Sequence, residues 1–218
     1  MTILKNIISV SFILILSSVL TGCGGKKDSV RTQNGKLSSS EIPADNVPKK
    51  IEMKTKTGMT FVINIISGNG SLSDIGVTGS GFENSRDTVF FRDVYPYEQA
   101  VLADIDGNGY EEIYIITKST GSGSYLNLYS VASNNDKSYT PVNVQSIDDR
   151  DLKPGKNFEG YMGHERFIFE KGRIIREFPV FKEGDTNANP TGGTKKIYYK
   201  LSRGEASWQL KVAEENKK

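Results

Sequence analysis

The chain has 218 residues, of which 36% are hydrophobic and 25% charged, with a formal net charge of +2. That length suits one domain plus a tail, and a balance so near neutrality, with no basic run threaded by aromatics, excludes electrostatic nucleic-acid binding. One cysteine and one histidine exclude a disulfide within the chain and a Cys/His zinc cluster.

The N-terminus reads as a targeting segment. Lys5 gives a positive start, and the apolar run from Ile7 to Leu20 is too short for a lasting membrane span. Leu20-Thr21-Gly22-Cys23 resembles the bacterial lipobox. This implies cleavage after residue 22, lipidation of Cys23 and a membrane anchor in which each buried methylene contributes about 0.8 kcal/mol. Gly24 rather than Asp follows the cysteine, so the outer membrane, facing the periplasm, is expected rather than the inner one. Residues 23–50 are rich in Ser, Lys and Asn and read as a flexible linker.

Residues 51–218 carry many short β-patterns. Met59 to Ile66 is β-rich, Ser71 to Phe82 holds a short strand, and Thr88 to Tyr95 is stopped by Pro96. Val101 to Ile116 reads as a hairpin around an acidic, glycine-rich turn. Further strands are expected over Leu126–Val131, Ser138–Val144, Glu165–Glu170, Arg173–Phe181, Thr194–Leu201 and Ala206–Val212. Lys171-Gly172 between two of them is a two-residue turn signal. With no long amphipathic helix, the expected fold is all-β, an antiparallel sandwich or partly closed barrel.

The acidic turn places Asp104, Asp106, Asn108 and Glu112 at positions 1, 3, 5 and 9, with Gly109 at position 6. This spacing lets a tight loop wrap a hard cation, and it resembles the calcium loops of integrin-type propeller repeats. Position 12 holds Ile115 and no helices flank the turn, which excludes an EF-hand; a single copy excludes a propeller. The reading adopted is a metal-free turn with Gly107 and Gly109 at positive φ. Calcium is the alternative.

The chain from this hairpin to its end resembles the periplasmic inhibitors of invertebrate-type (I-type) lysozyme. The matching blocks are Ala103 to Gly109, Ser119 to Tyr125, Gly160 to Glu165, Arg176 to Phe181, Gly184 to Thr194 and Gly204 to Trp208. The resemblance implies an inhibitory Ser-Gly-x-Tyr loop, here Ser122, Gly123, Ser124 and Tyr125, that enters the lysozyme cleft. It also implies an I-type lysozyme as partner, possession of no enzymatic activity, and association in pairs. The lipobox departs from the mostly soluble family. A calcium-stabilised adhesion or binding lipoprotein without inhibitory activity is the alternative function.

Other residues fit no catalytic set. His164 lacks a nucleophile partner and reads as structural. Asp185, Asn187 and Asn189 imitate acidic spacing, but Pro190 stands where a calcium loop needs glycine, so a polar loop is expected. Asp148, Asp149 and Asp151 are interleaved with Arg150 and Lys153 as in a solvated turn, and Trp208 reads as core.

Overall fold

The computed structural model describes residues 49–67 and 71–213. The signal peptide, Cys23 and nearly all of the linker lie outside the described residues. Within them the regular structure is β throughout. In chain order the strands are β1 (Lys49–Lys54), β2 (Thr60–Ser67), β3 (Ser73–Ser80), β4 (Val89–Val94), β5 (Tyr97–Ala103) and β6 (Glu112–Lys118). They continue as β7 (Leu126–Asn134), β8 (Ser138–Val144), β9 (Arg166–Glu170), β10 (Arg173–Pro179), β11 (Thr194–Arg203) and β12 (Trp208–Val212). The linker boundary at residue 50 is corrected: Lys49 and Lys50 already pair with Ile65 and Asn64.

Two sheets form, an antiparallel one in the order β1-β2-β3-β4 and a larger one in the order β5-β6-β7-β8-β12-β11-β10-β9. The expected all-β fold is found, with one parallel pairing in the larger sheet. β8 and β12 run parallel, from Trp208↔Val142 to Leu210↔Val144. The larger sheet curls into a nearly closed barrel. Tyr114 on β6, second from one end of the strand order, and Phe169 on β9, at the other end, pack with ring centroids 5.2 Å apart.

The barrel interior holds one core, with Tyr114, Ile116, Ile174, Phe178, Tyr199 and Leu210. The four-stranded sheet packs on the outside of the barrel around a second core. There Phe61, Ile63, Ile75 and Val77 meet Ile113, Ile115, Val131 and Tyr139. β6 is the wall between the two cores. Its alternate residues enter different cores, so it is apolar on both faces and reads as an unbroken run.

The barrel wall is split on one side. The β7–β8 ladder runs from Asn134↔Ser138 to Val131↔Pro141 and goes no further. Pro141 has no N–H to donate, so it weakens the ladder where the strands part. β8 then turns to β12, and a cleft of about 450 Å³ is left between Asn127 and Tyr129 on β7 and Asn143 on β8.

Candidate functional site

The loop Ser119–Tyr125 joins β6 to β7. Its neck is closed by two hydrogen bonds: the Ser119 N–H donates to the Tyr125 carbonyl at 2.8 Å, and the Tyr125 N–H donates to Ser119 Oγ at 2.9 Å. At the tip the Ser124 N–H donates to the Gly121 carbonyl at 3.0 Å, a turn that sets Ser124 at φ +46°. Ser122 is exposed, Gly123 is half-buried, and Tyr125 keeps 38% of its surface open at the rim of the cleft.

Two distant segments grip this loop by its backbone. The His164 N–H donates to the Gly123 carbonyl at 2.9 Å. Asn187 Nδ2 donates to the Ser122 carbonyl at 2.8 Å, and Asn187 Oδ1 lies 3.0 Å from His164 Nε2. The close approach explains Gly163, which sits at φ +91°: a Cβ there would run into the Gly123 carbonyl. These contacts consume backbone groups of the loop and leave the Ser122 side chain exposed, while the Tyr125 ring lies against Gly123 and Gly163 with its remaining surface at the cleft rim.

A buried ion pair supports the loop from below. Arg176 and Glu165, 7% and 6% exposed, meet at 2.5 Å. Glu165 Oε1 also accepts the Leu126 N–H at 2.9 Å and the Tyr161 hydroxyl at 2.5 Å, while Arg176 donates to the Leu126 carbonyl at 3.0 Å. Both polar groups of Leu126, the first residue of β7, are thereby fixed. The Tyr161 ring stands edge-on to Tyr125 at 5.7 Å. Burial raises the Tyr161 hydroxyl pKa, partly countered by the Arg176 charge, so the phenol remains a donor.

The acidic turn lies at the other end of β6, roughly 20 Å away by strand rise. Gly107 and Gly109 take φ of +78° and +89°, as expected of the turn. Asp104 accepts the Gly107 N–H at 2.8 Å on one oxygen and the Gly109 N–H at 3.0 Å on the other. Asp106 accepts the Asn108 N–H at 3.0 Å. Asp104, Asp106 and Glu112 bring donor oxygens within 4.8 Å of one another. Asn108 stands differently: its Nδ2 donates to Asp106 at 2.9 Å and its Oδ1 accepts the Tyr110 N–H at 2.7 Å.

Glu111 and Glu112 point to opposite sides of the sheet. Glu111 reaches the four-stranded sheet and accepts the Lys56 N–H at 2.8 Å. Glu112 is 0% exposed on the barrel side. Its Oε2 accepts the Ile105 N–H at 3.0 Å and the Tyr114 hydroxyl at 3.1 Å, and among the described residues its Oε1 has no partner. Burial pushes its pKa up to about 8, with the Asp106 and Asp104 charges adding to the rise. Burial, with Asp104 beside it, also raises Asp106.

The remaining sequence candidates behave as scaffold. Asp185 holds its own loop by accepting the Lys182 and Thr191 N–H groups at 2.7 and 2.8 Å. Asp148 pairs with exposed Arg150 at 2.6 Å. Trp208 is buried and donates to Asn134 Oδ1 at 2.9 Å. His164 and Asn187 have a positional role that the sequence reading did not give them. Comparison with protein-family models, with curated proteins and with solved structures finds no match.

Proposed function

We propose that the protein is a proteinaceous inhibitor of I-type lysozyme, without catalytic activity of its own, held at the cell envelope through lipid on Cys23. The observation that carries this reading is the Ser119–Tyr125 loop. Ser122 is exposed at its tip and Tyr125 keeps part of its surface open at the cleft rim, while the loop backbone is fixed by His164, Asn187 and the base of β7. A lysozyme cleaves with a pair of carboxyl groups at the bottom of a sugar-binding groove. A thin, glycine-containing loop enters such a groove, and the Ser122 hydroxyl donates to a catalytic carboxylate as a charge-assisted hydrogen bond. Tyr125 contributes aromatic area and a phenol, the residue type enriched at interface hot spots.

Rigidity supplies the rest. Ordering a free loop on binding subtracts from affinity. Here the ordering is already done by contacts inside the protein. The polar loop 182–193 adjoins the tip through Asn187 and extends the surface that would meet the enzyme.

The test is titration of the purified domain into I-type, goose-type and chicken-type lysozymes acting on cell walls. Inhibition of the I-type enzyme is expected. The double variant Ser122→Ala/Tyr125→Ala should raise the inhibition constant at least about tenfold, the loss of roughly 1.4 kcal/mol of binding, with an unchanged Tm. Equal inhibition by the folded double variant would remove the loop from the mechanism, and silence with all three enzymes would favour a binding lipoprotein of another kind.

A further inference from the structure

The geometry points to a calcium site beneath the Asp104–Glu112 turn, with Asp104, Asp106 and Glu112 as its carboxylate ligands. Three carboxyl groups converge there, their donor oxygens within 4.8 Å of one another. Crowded surface acids alone would be unremarkable, because water screens them. Glu112 is what distinguishes this cluster. It is fully buried, and among the described residues its Oε1 has no hydrogen-bond partner. Among the described residues no Lys or Arg forms an ion pair with it. A buried carboxylate without a compensating charge is strongly unfavourable, and Glu112, with one oxygen unpartnered, brings a carboxylate oxygen within 4.8 Å of those of Asp104 and Asp106.

The donor set selects the ion. All three ligands are hard oxygens, and the cluster contains no His or Cys among the described residues, which disfavours zinc and copper. Calcium accepts six to eight oxygens in a loose shell and takes its remainder from carbonyls and water. Magnesium demands a near-octahedral shell at shorter distances. A turn whose two surface acids are already tied to its own N–H groups has little freedom to contract around the smaller ion. Asn108, with its oxygen on the Tyr110 N–H, is not one of the ligands in this arrangement. The inference is independent of lysozyme inhibition and does not involve the Ser119–Tyr125 loop.

Terbium, a luminescent substitute for calcium, provides the test. The Tyr114 hydroxyl lies 3.1 Å from Glu112 Oε2, close enough for tyrosine excitation to sensitise a bound lanthanide. Chelator-treated protein should give sensitised emission with terbium, and calcium should quench it at lower concentration than magnesium. Calcium at a hundredfold excess over Kd should raise Tm by roughly 5–10 °C. Glu112→Gln should bind at least about tenfold more weakly while staying folded, since it replaces a charge the barrel disfavours. Asp106→Asn, a substitution near the surface, should weaken binding similarly. Absence of both emission and a Tm rise in folded wild-type protein, up to about 10 mM calcium, overturns the site. Unchanged terbium affinity in both variants overturns the ligand assignment.

Discussion

Glu165 and Glu112 are both sealed from solvent, at the two ends of the same barrel wall, and they are neutralised in different ways. Glu165 has a guanidinium: Arg176 meets it at 2.5 Å, and the Leu126 N–H and Tyr161 hydroxyl donate to the same oxygen, Oε1, while Oε2, among the described residues, has no hydrogen-bond partner. Glu112 has two neutral donors and no cation. The first is closed by the chain itself and positions a loop. The second must be closed by a proton or by an ion from outside. A buried acid with its own partner is architecture, whereas a buried acid without one remains open to chemistry.

The largest effect should come from breaking the closed pair. Arg176→Met leaves Glu165 charged and unpaired, and this should cost about 3–5 kcal/mol of stability. Adding Glu165→Gln in the same chain should recover part of the loss, because the uncompensated charge is then gone. Urea unfolding of the two variants measures this. An Arg176→Met protein as stable as wild type would mean that the pair does not support β7.

The open acid should behave with the opposite sign. In chelator, stability should fall as pH rises from about 4.5, where the unfolded chain releases the Glu112 proton, to about 8, where the folded protein does. The stability present below this window is lost across it. By pH 7 the loss amounts to about 3 kcal/mol, taking 1.36 kcal/mol per pKa unit. Glu112→Gln, which does not titrate, should flatten the slope, and its stability at pH 7 should exceed that of the chelated wild type. Thermal melts across this pH range distinguish the two proteins, and parallel slopes would show that Glu112 is not the group responsible.

Gly163→Ala sits between these cases and the loop. The new Cβ would collide with the Gly123 carbonyl, and φ of +91° disfavours any side chain. Destabilisation of about 1–2 kcal/mol is expected, together with a displaced loop tip. If the loop is the inhibitory element, inhibition should fall by more than the change in stability accounts for. Retained inhibition would show that the His164 contact does not set the loop's position.

Much of this was legible in the sequence, and the parts that were not share a cause. The strands of the second half follow their alternation, and the Lys171-Gly172 turn lies where the signal placed it, with Glu170 opposite Arg173. β1 was missed because Lys49–Lys54 carries four charged residues, all of them exposed, in a composition like that of the linker sequence before it. The parallel β8–β12 pairing joins segments far apart in the chain, which local pattern does not report. Neither Glu112 nor Arg176 was expected in the barrel core. Their parity already implied otherwise: Glu112 falls in step with Tyr114 and Ile116, and Arg176 with Ile174 and Phe178, all of which face the barrel core. A charged residue on the inward phase of a strand was the available signal.

The smallest predicted effect separates a loop that is merely exposed from one that is held ready. Asn187→Ala removes the 2.8 Å hydrogen bond to the Ser122 carbonyl and the contact with His164. These are exposed, neutral bonds, each contributing about 0.5–1.5 kcal/mol at most, and they tie surface loops rather than core strands. Tm should therefore stay within a degree or two of wild type. If the loop is the inhibitory element, binding should respond more than folding, because a loosened tip would have to be ordered again on the enzyme. A rise of about two- to fivefold in the inhibition constant, carried by faster dissociation, is the expected result. An unchanged constant would mean that the neck bonds of Ser119 and the clamp on Leu126 hold the tip without help from the 182–193 loop.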